Sequence, residues 1–156
     1  MIEEKATKEL DQMLEDLGPN QVEQFFKENK SFMKQNNRDF YNYMTDVLAK
    51  KKIKLKDVYS FAGESDSYGS KIMKMEKHTT NRDVIIRFCI AGHFTWDETN
   101  RALKLYGFNE LYSKDKRDIC ILIAIKNRIY DLAKIDDMLT KQGLEKISKD
   151  EKSINE

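Results

Sequence analysis

The residues of this chain best suited to chemistry are hydrogen-bond donors rather than nucleophiles or acids. Ser65, Ser67, Ser70, Lys71 and Lys74 fall within one short stretch. Hydroxyl and ammonium groups of this kind donate to base edges and to phosphate oxygens. Five of the seven residues over 50–56 are Lys. Such clustered positive charge is the footprint of phosphate neutralisation. Lys52, Lys54 and Lys56 are therefore candidate backbone contacts, with Lys50 and Lys51 beside them. The alternative is a solvated helix end, where the helix dipole favours Lys.

The overall net charge of +1 hides this asymmetry. Residues 1–33 carry 4 Lys/Arg against 8 Asp/Glu, residues 34–82 carry 11 against 6, and residues 83–156 carry 13 against 13. The positive excess lies where the candidate donors lie. Other chemistries find little support. His78 and His93 stand alone, and Cys89 and Cys120 lack metal-ligand spacing. There is no Gly-rich phosphate loop. Ser67 and Ser70 lack the base that would mark a nucleophile. The expectation is a protein that is not an enzyme and needs no cofactor or metal.

The donors need elements to position them. Phe40, Tyr43, Met44, Val47 and Leu48 follow helical spacing, as do Leu55, Val58, Tyr59 and Ala62. Gly63-Glu64-Ser65 interrupts the pattern, and Tyr68, Ile72 and Met75 restart it. Two short helices joined by a Gly-containing turn are the sequence form of a helix-turn-helix. The second helix, expected at about 66–75, then presents Ser67, Ser70, Lys71 and Lys74 outward. Ser65 sits at its start. Tyr68 is a candidate contact that also belongs to the inward face. In such a unit the second helix enters the major groove of double-stranded DNA, commonly as a homodimer on a two-fold site. Glu64 and Asp66 put carboxylates at the leading end of this helix. They suit its dipole and oppose an approaching phosphate.

The flanking chain is helical too. A helix is predicted over 2–17 with Leu10, Met13, Leu14 and Leu17 as its apolar stripe, stopped by Gly18-Pro19. Asn20 and Glu23 resemble a capping box, with Val22, Phe25 and Phe26 on the next apolar face. A polar linker follows over 33–38. Val84-Ile85-Ile86-Arg87-Phe88-Cys89-Ile90-Ala91 is apolar nearly all round and predicts a buried helix. Thr95 and Glu98 form a capping box for the next helix, which Gly107 stops. The pattern then returns. Arg117-Asp118 echoes Arg82-Asp83 at a spacing of 35, and Gly143-Leu144 echoes Gly107-Phe108 at 36. Two stacked helical hairpins are implied.

The expected organisation is an N-terminal helical arm over 1–36, a helix-turn-helix domain over 37–108, a helical hairpin packed on the same core over 109–147, and a disordered tail over 148–156. The fold class is all-α. The 156 residues are 40% apolar and 35% charged with one Pro, a composition of helical globular chains. No apolar run reaches the length of a membrane span. The acidic N-terminus has no h-region of a signal peptide. Both cysteines sit in apolar runs, read as buried thiols, so a cytoplasmic location is expected. The acidic arm packs on the domain as a helical hairpin, or serves as a dimerisation or partner-docking arm.

These residues resemble a known family. Leu55-Lys56-Asp57-Val58-Tyr59-Ser60-Phe61-Ala62-Gly63 and Ser65-Asp66-Ser67-Tyr68-Gly69-Ser70-Lys71-Ile72 are similar to the Xre, or lambda-repressor-like, helix-turn-helix domains of bacterial regulators. Thr95-Trp96-Asp97-Glu98-Thr99-Asn100-Arg101-Ala102-Leu103-Lys104-Leu105-Tyr106-Gly107-Phe108, with Leu111-Tyr112 and Arg117-Asp118, narrows the resemblance. It points to small Gram-positive bacterial proteins in which that domain carries a second helical repeat. The resemblance spans about residues 1–147. It implies a lambda-repressor-like core and a DNA-binding transcriptional regulator. The alternative is a protein-interaction module that keeps the fold and has lost DNA binding.

Overall fold

The computed structural model describes residues 7–30 and 38–149. The predicted helix start at 2–6, the linker over 33–37 and the tail beyond 149 lie outside the described residues, while Arg38, read as linker, takes the N-cap position of α3. Among the described residues every regular element is a helix: α1 (Thr7–Leu14), α2 (Val22–Glu28), α3 (Asp39–Lys50), α4 (Leu55–Phe61), α5 (Asp66–Met73), α6 (Arg82–Ala91), α7 (Trp96–Tyr106), α8 (Lys116–Lys126) and α9 (Leu132–Lys141). The all-α expectation is met. No helix among these residues is long and apolar enough to cross a membrane.

Local chemistry accounts for most of the boundaries. The Thr95 hydroxyl accepts from the Glu98 N–H at 3.2 Å while the Glu98 carboxylate accepts from the Thr95 N–H at 2.9 Å. This is the reciprocal capping read from the sequence. Ser65, Asn81, Asp115 and Asp131 cap α5, α6, α8 and α9 in the same sense. At Pro19 the outcome differs. The Gln21 side chain, not Asn20, accepts from a backbone N–H, that of Gly18 at 2.8 Å. A single 3-10 turn, Pro19–Gln21, then leads into α2.

From α3 onward each helix closes on a left-handed residue: Lys52, Gly63, Met75, His93, Gly107, Arg128 and Gly143. The next residue donates its N–H back five positions, as Phe94 does to Cys89 at 3.0 Å and Ile129 to Ala124 at 2.8 Å. The motif satisfies carbonyls the helix leaves open. Four of these positions carry a side chain, so glycine alone did not mark them.

One core runs through α3 to α9. It includes Phe40, Met44, Val58, Ile72, Ile85, Phe88, Leu103, Tyr106, Ile121, Leu139 and Ile147. α6 packs against α4 and α7, α3 against α5 and α7, and α8 against α9 and α7. α8 is less enclosed than its composition suggested, because Ile123 is 49% exposed. Cys120 is half-buried, so only Cys89 is the sequestered thiol expected of both.

The repeat is written in crossed ion pairs. Arg82 forks onto Asp118 at 2.9 and 3.0 Å, and Arg117 forks onto Asp83 at 2.8 and 2.7 Å. Arg82 also donates to the Asn109 and Glu110 carbonyls, and Arg117 to those of Glu145 and Lys146. Asn100 accepts from the Leu111 N–H at 3.0 Å, and Asp136 from the Ile147 N–H at 2.7 Å. These contacts of α6–α7 thus recur one repeat later in α8–α9. Arg38-Asp39 starts α3 with the same pair of residues, and α3–α4 turns through Lys52 as α6–α7 turns through His93. The sequence reading missed this shared start and turn, although α3 packs on α5 and α7 and α4 on α5 and α6.

Candidate nucleic-acid interface

α4 and α5 are joined by the turn 62–65, with Gly63 left-handed at φ 79°. The Ser65 hydroxyl accepts from the Tyr68 N–H at 3.1 Å and so fixes where α5 begins. α5 ends at Met73, two residues short of the expected stop, because Met75 turns left-handed at φ 62°. The inward face is Gly69, Ile72 and Met73. Gly69 is required there, since a Cβ would stand 2.6 Å from the Tyr59 ring.

The outward side of α5 holds Ser67, Lys71 and Lys74, all exposed. They are spaced i, i+4 and i+7, one stripe of a helix. Lys52, Lys54 and Lys56 are exposed around the start of α4, and Lys50 is exposed at the end of α3. Lys51 is not available in the same way. It pairs with Glu98 at 2.9 Å and donates to the His93 carbonyl at 2.9 Å.

Two other candidates are redirected. Ser70, read as outward, is half-buried beside the Tyr59 hydroxyl. One α5 residue cannot face both Tyr59 and solvent, and the close approach at Gly69 draws Ser70 inward with it. Burial pushes the Tyr59 pKa up to about 12. Tyr68 is half-buried, with Lys77 Nζ 5.0 Å and Lys149 Nζ 5.6 Å from its ring centre. Such cations hold an aromatic face by its quadrupole.

Glu64 is the largest departure from the sequence reading. Its side chain is buried rather than presented at the leading end of α5. Its two carboxylate oxygens meet Arg87 at 3.3 Å and Lys149 at 2.9 Å. Arg87 is itself buried and also donates to the Ala62 carbonyl at 3.1 Å and the Ile147 carbonyl at 2.9 Å. Burial lowers the Arg87 pKa, with Glu64 and Asp83 pulling it back up. Asp66 remains as the exposed acid in the first turn of α5. Ser148 and Lys149, read as the start of a free tail, are instead packed. Asp136 binds the Ser148 N–H and hydroxyl, and Lys149 is held by Glu64.

The two histidines are ring-stacking residues. His78 lies 4.6 Å from Tyr106, and His93 lies 4.5 Å from Tyr130 in near-parallel planes. Among the described residues no group of three His, Cys, Asp or Glu side chains is placed to hold a metal.

The arm has a separate feature. α1, the 3-10 turn and α2 enclose a groove of about 640 Å³ lined by Leu10, Leu14, Leu17, Val22, Phe25 and Phe26 among others. Leu14, Val22 and Phe26 are each half exposed or more, and Met13 is 38% exposed. Compared with models of known families, with curated proteins and with solved structures, the chain matches none.

Proposed function

We propose that this protein is a non-enzymatic, DNA-binding transcriptional regulator of the Xre-like kind, acting as a homodimer, with α5 as the helix that reads the major groove. One observation carries the reading. The exposed stripe Ser67, Lys71 and Lys74 stands on a capped helix behind a tight turn, with Lys52, Lys54 and Lys56 exposed near the preceding helix start. Ser67 and Lys71 address base edges, and Lys74 with the α4 lysines addresses phosphates. Removal of Glu64 into an internal ion pair takes one carboxylate away from the approaching backbone.

The test is selection of bound sequences from random duplex DNA at about 100 mM salt, a concentration at which phosphate contacts still contribute strongly. Wild type is expected to enrich one motif and Lys71→Glu to lose it while keeping its helicity. Affinity for the motif should fall with salt at a log–log slope near −0.9 per phosphate contact. Enrichment unchanged in the Lys71→Glu variant removes α5 as the reading helix.

The arm groove favours a second reading, docking of a protein partner. A helix-binding groove takes apolar anchors at i, i+3, i+4 and i+7. The arm's described residues hold Glu9, Asp11, Glu15, Asp16, Glu23 and Glu28 against Lys8, Lys27 and Lys30. A basic amphipathic helix fits that surface. A Leu/Lys peptide binding wild type but not Phe26→Asp supports this reading, and equal binding to both removes it.

A further inference from the structure

We propose that the segment 144–149 is a strap that sets α5 in its reading position, with Arg87, Glu64 and Lys149 as the positioning residues. The proposal rests on the reading of α5 given above. Each link is local and short. Arg117 holds the Glu145 and Lys146 carbonyls at 3.1 and 2.8 Å. Asp136 holds the Ile147 and Ser148 N–H groups at 2.7 and 3.2 Å. Ile147 is fully buried. Arg87 then spans the Ile147 carbonyl and the Ala62 carbonyl that ends α4. Lys149 closes on Glu64, the residue before the α5 cap, and lies over Tyr68 of α5 itself.

The repeat shows why this segment is more than a core closure. Its counterpart one repeat earlier, 108–113, makes the same contacts to Asn100 and Arg82 and leads directly into α8. After α9 the equivalent path leads instead onto the α4–α5 turn. Among the described residues α8 and α9 pack against each other and α8 against α7, while the strap reaches the α4–α5 turn. With the strap seated, Glu64 has two cationic partners. With it lifted, Glu64 keeps Arg87 alone, Tyr68 loses one of its two cations, and a carboxylate at the start of α5 regains contact with solvent. A seated strap favours DNA and a lifted strap opposes it.

The geometry supplies its own lock. A Cβ built on Gly63 would lie 3.5 Å from the Lys149 Cβ, within the span a disulfide bridges, at the cost of a side chain on a left-handed residue at φ 79°. The experiment uses full-length protein in four forms, all with Cys120→Ser: the parent, Lys149→Glu, Lys149→Arg, and Gly63→Cys with Lys149→Cys. Backbone amide exchange is followed over 64–73 and, as reference, over α6 and α7. Lys149→Glu is expected to speed exchange over 64–73 by about tenfold and leave the reference helices unchanged, a local opening rather than global unfolding. Lys149→Arg should keep the parent rates. The double-cysteine form should exchange fast when reduced and slowly when oxidised. Affinity for the selected duplex should follow the same order, with Lys149→Glu weaker by about tenfold. Unchanged exchange over 64–73 in Lys149→Glu, or faster exchange through all helices, overturns the strap. A parent that enriches no DNA sequence overturns the reading of α5 instead, and the exchange data still decide whether the strap holds that helix.

Discussion

Asp118 and Asp83 occupy equivalent places in the crossed ion pairs, yet they should contribute unequally to stability. The Asp118 side chain is 7% exposed and accepts both Arg82 nitrogens and the Tyr112 N–H at 2.9 Å. The Asp83 side chain is 22% exposed and, among the described residues, accepts from Arg117. Truncating Asp118 leaves Arg82, 25% exposed and still bound to two carbonyls, without its carboxylate, and also leaves the Tyr112 N–H without its acceptor, a cost of about 3 kcal/mol. Truncating Asp83 removes a more exposed carboxylate and leaves Arg117, at 23% exposure and bound to two carbonyls, much as Arg82 is left, a cost of about 1 kcal/mol. With a urea m-value of about 2 kcal/mol/M, the midpoint should fall by about 1.5 M for Asp118→Ala and about 0.5 M for Asp83→Ala. Adding Arg82→Ala to Asp118→Ala should recover part of the loss, because no unpaired charge remains. Equal midpoints for the two single variants would show that the pairs act through charge alone and would refute the burial argument.

Three further outcomes follow from particular contacts. Gly69→Ala gains helix propensity, yet its Cβ meets the Tyr59 ring at 2.6 Å; a net loss of about 2 kcal/mol is expected in urea melts. Arg128→Gly relieves an exposed left-handed residue at φ 56°; it should add about 1 kcal/mol and raise the melting temperature by about 3 °C. Burial pushes the Glu98 pKa up, but the Thr95 N–H and Lys51 outweigh it and hold it below its ordinary value. A depressed carboxyl stabilises the fold above its unfolded value of about 4.3 and loses that contribution as pH falls through the lower folded value. Glu98→Gln should therefore flatten the acid limb of a stability–pH profile measured by thermal melts below pH 5, and an unchanged limb would discount the pairing.

Features decided by neighbours in sequence were legible. The Thr95–Glu98 box, the Gly107 stop and the 35-to-36-residue echo all came from short-range chemistry. Features decided by distant partners were not. Glu64 looks like a dipole-favoured acid at a helix start, and its partners lie 23 and 85 residues away. Lys51 is one Lys among five until Glu98 reaches it from another hairpin. The shared start and turn of α3–α4 escaped notice because α4 is short and α5 is inserted after it. Arg38-Asp39 therefore precedes Arg82-Asp83 by 44 residues rather than 35. Left-handed stops at Lys52, Met75, His93 and Arg128 carry no glycine to announce them. For the candidate interface, helical spacing placed Ser67, Lys71 and Lys74 outward. It missed the inward turn of Ser70 because the close approach at Gly69 is a tertiary fact.

The crossed pairs and the strap also impose an order on synthesis. A chain growing from its N-terminus buries Arg87 in a helix whose carbonyl partner at Ile147 has yet to be made. Arg82 and Asp83 wait in the same way for Asp118 and Arg117. Arg87 already has Glu64 and the Ala62 carbonyl, but its remaining N–H lacks the Ile147 acceptor, and a buried donor left unmet costs about 1–3 kcal/mol, so α4 to α7 can collapse early but settle only later. The turn that begins α5 is among the last places to reach its final form, once Ile147 and Lys149 have left the ribosome. Nascent protein should thus remain unable to present a finished α5 until residues 147–149 are out.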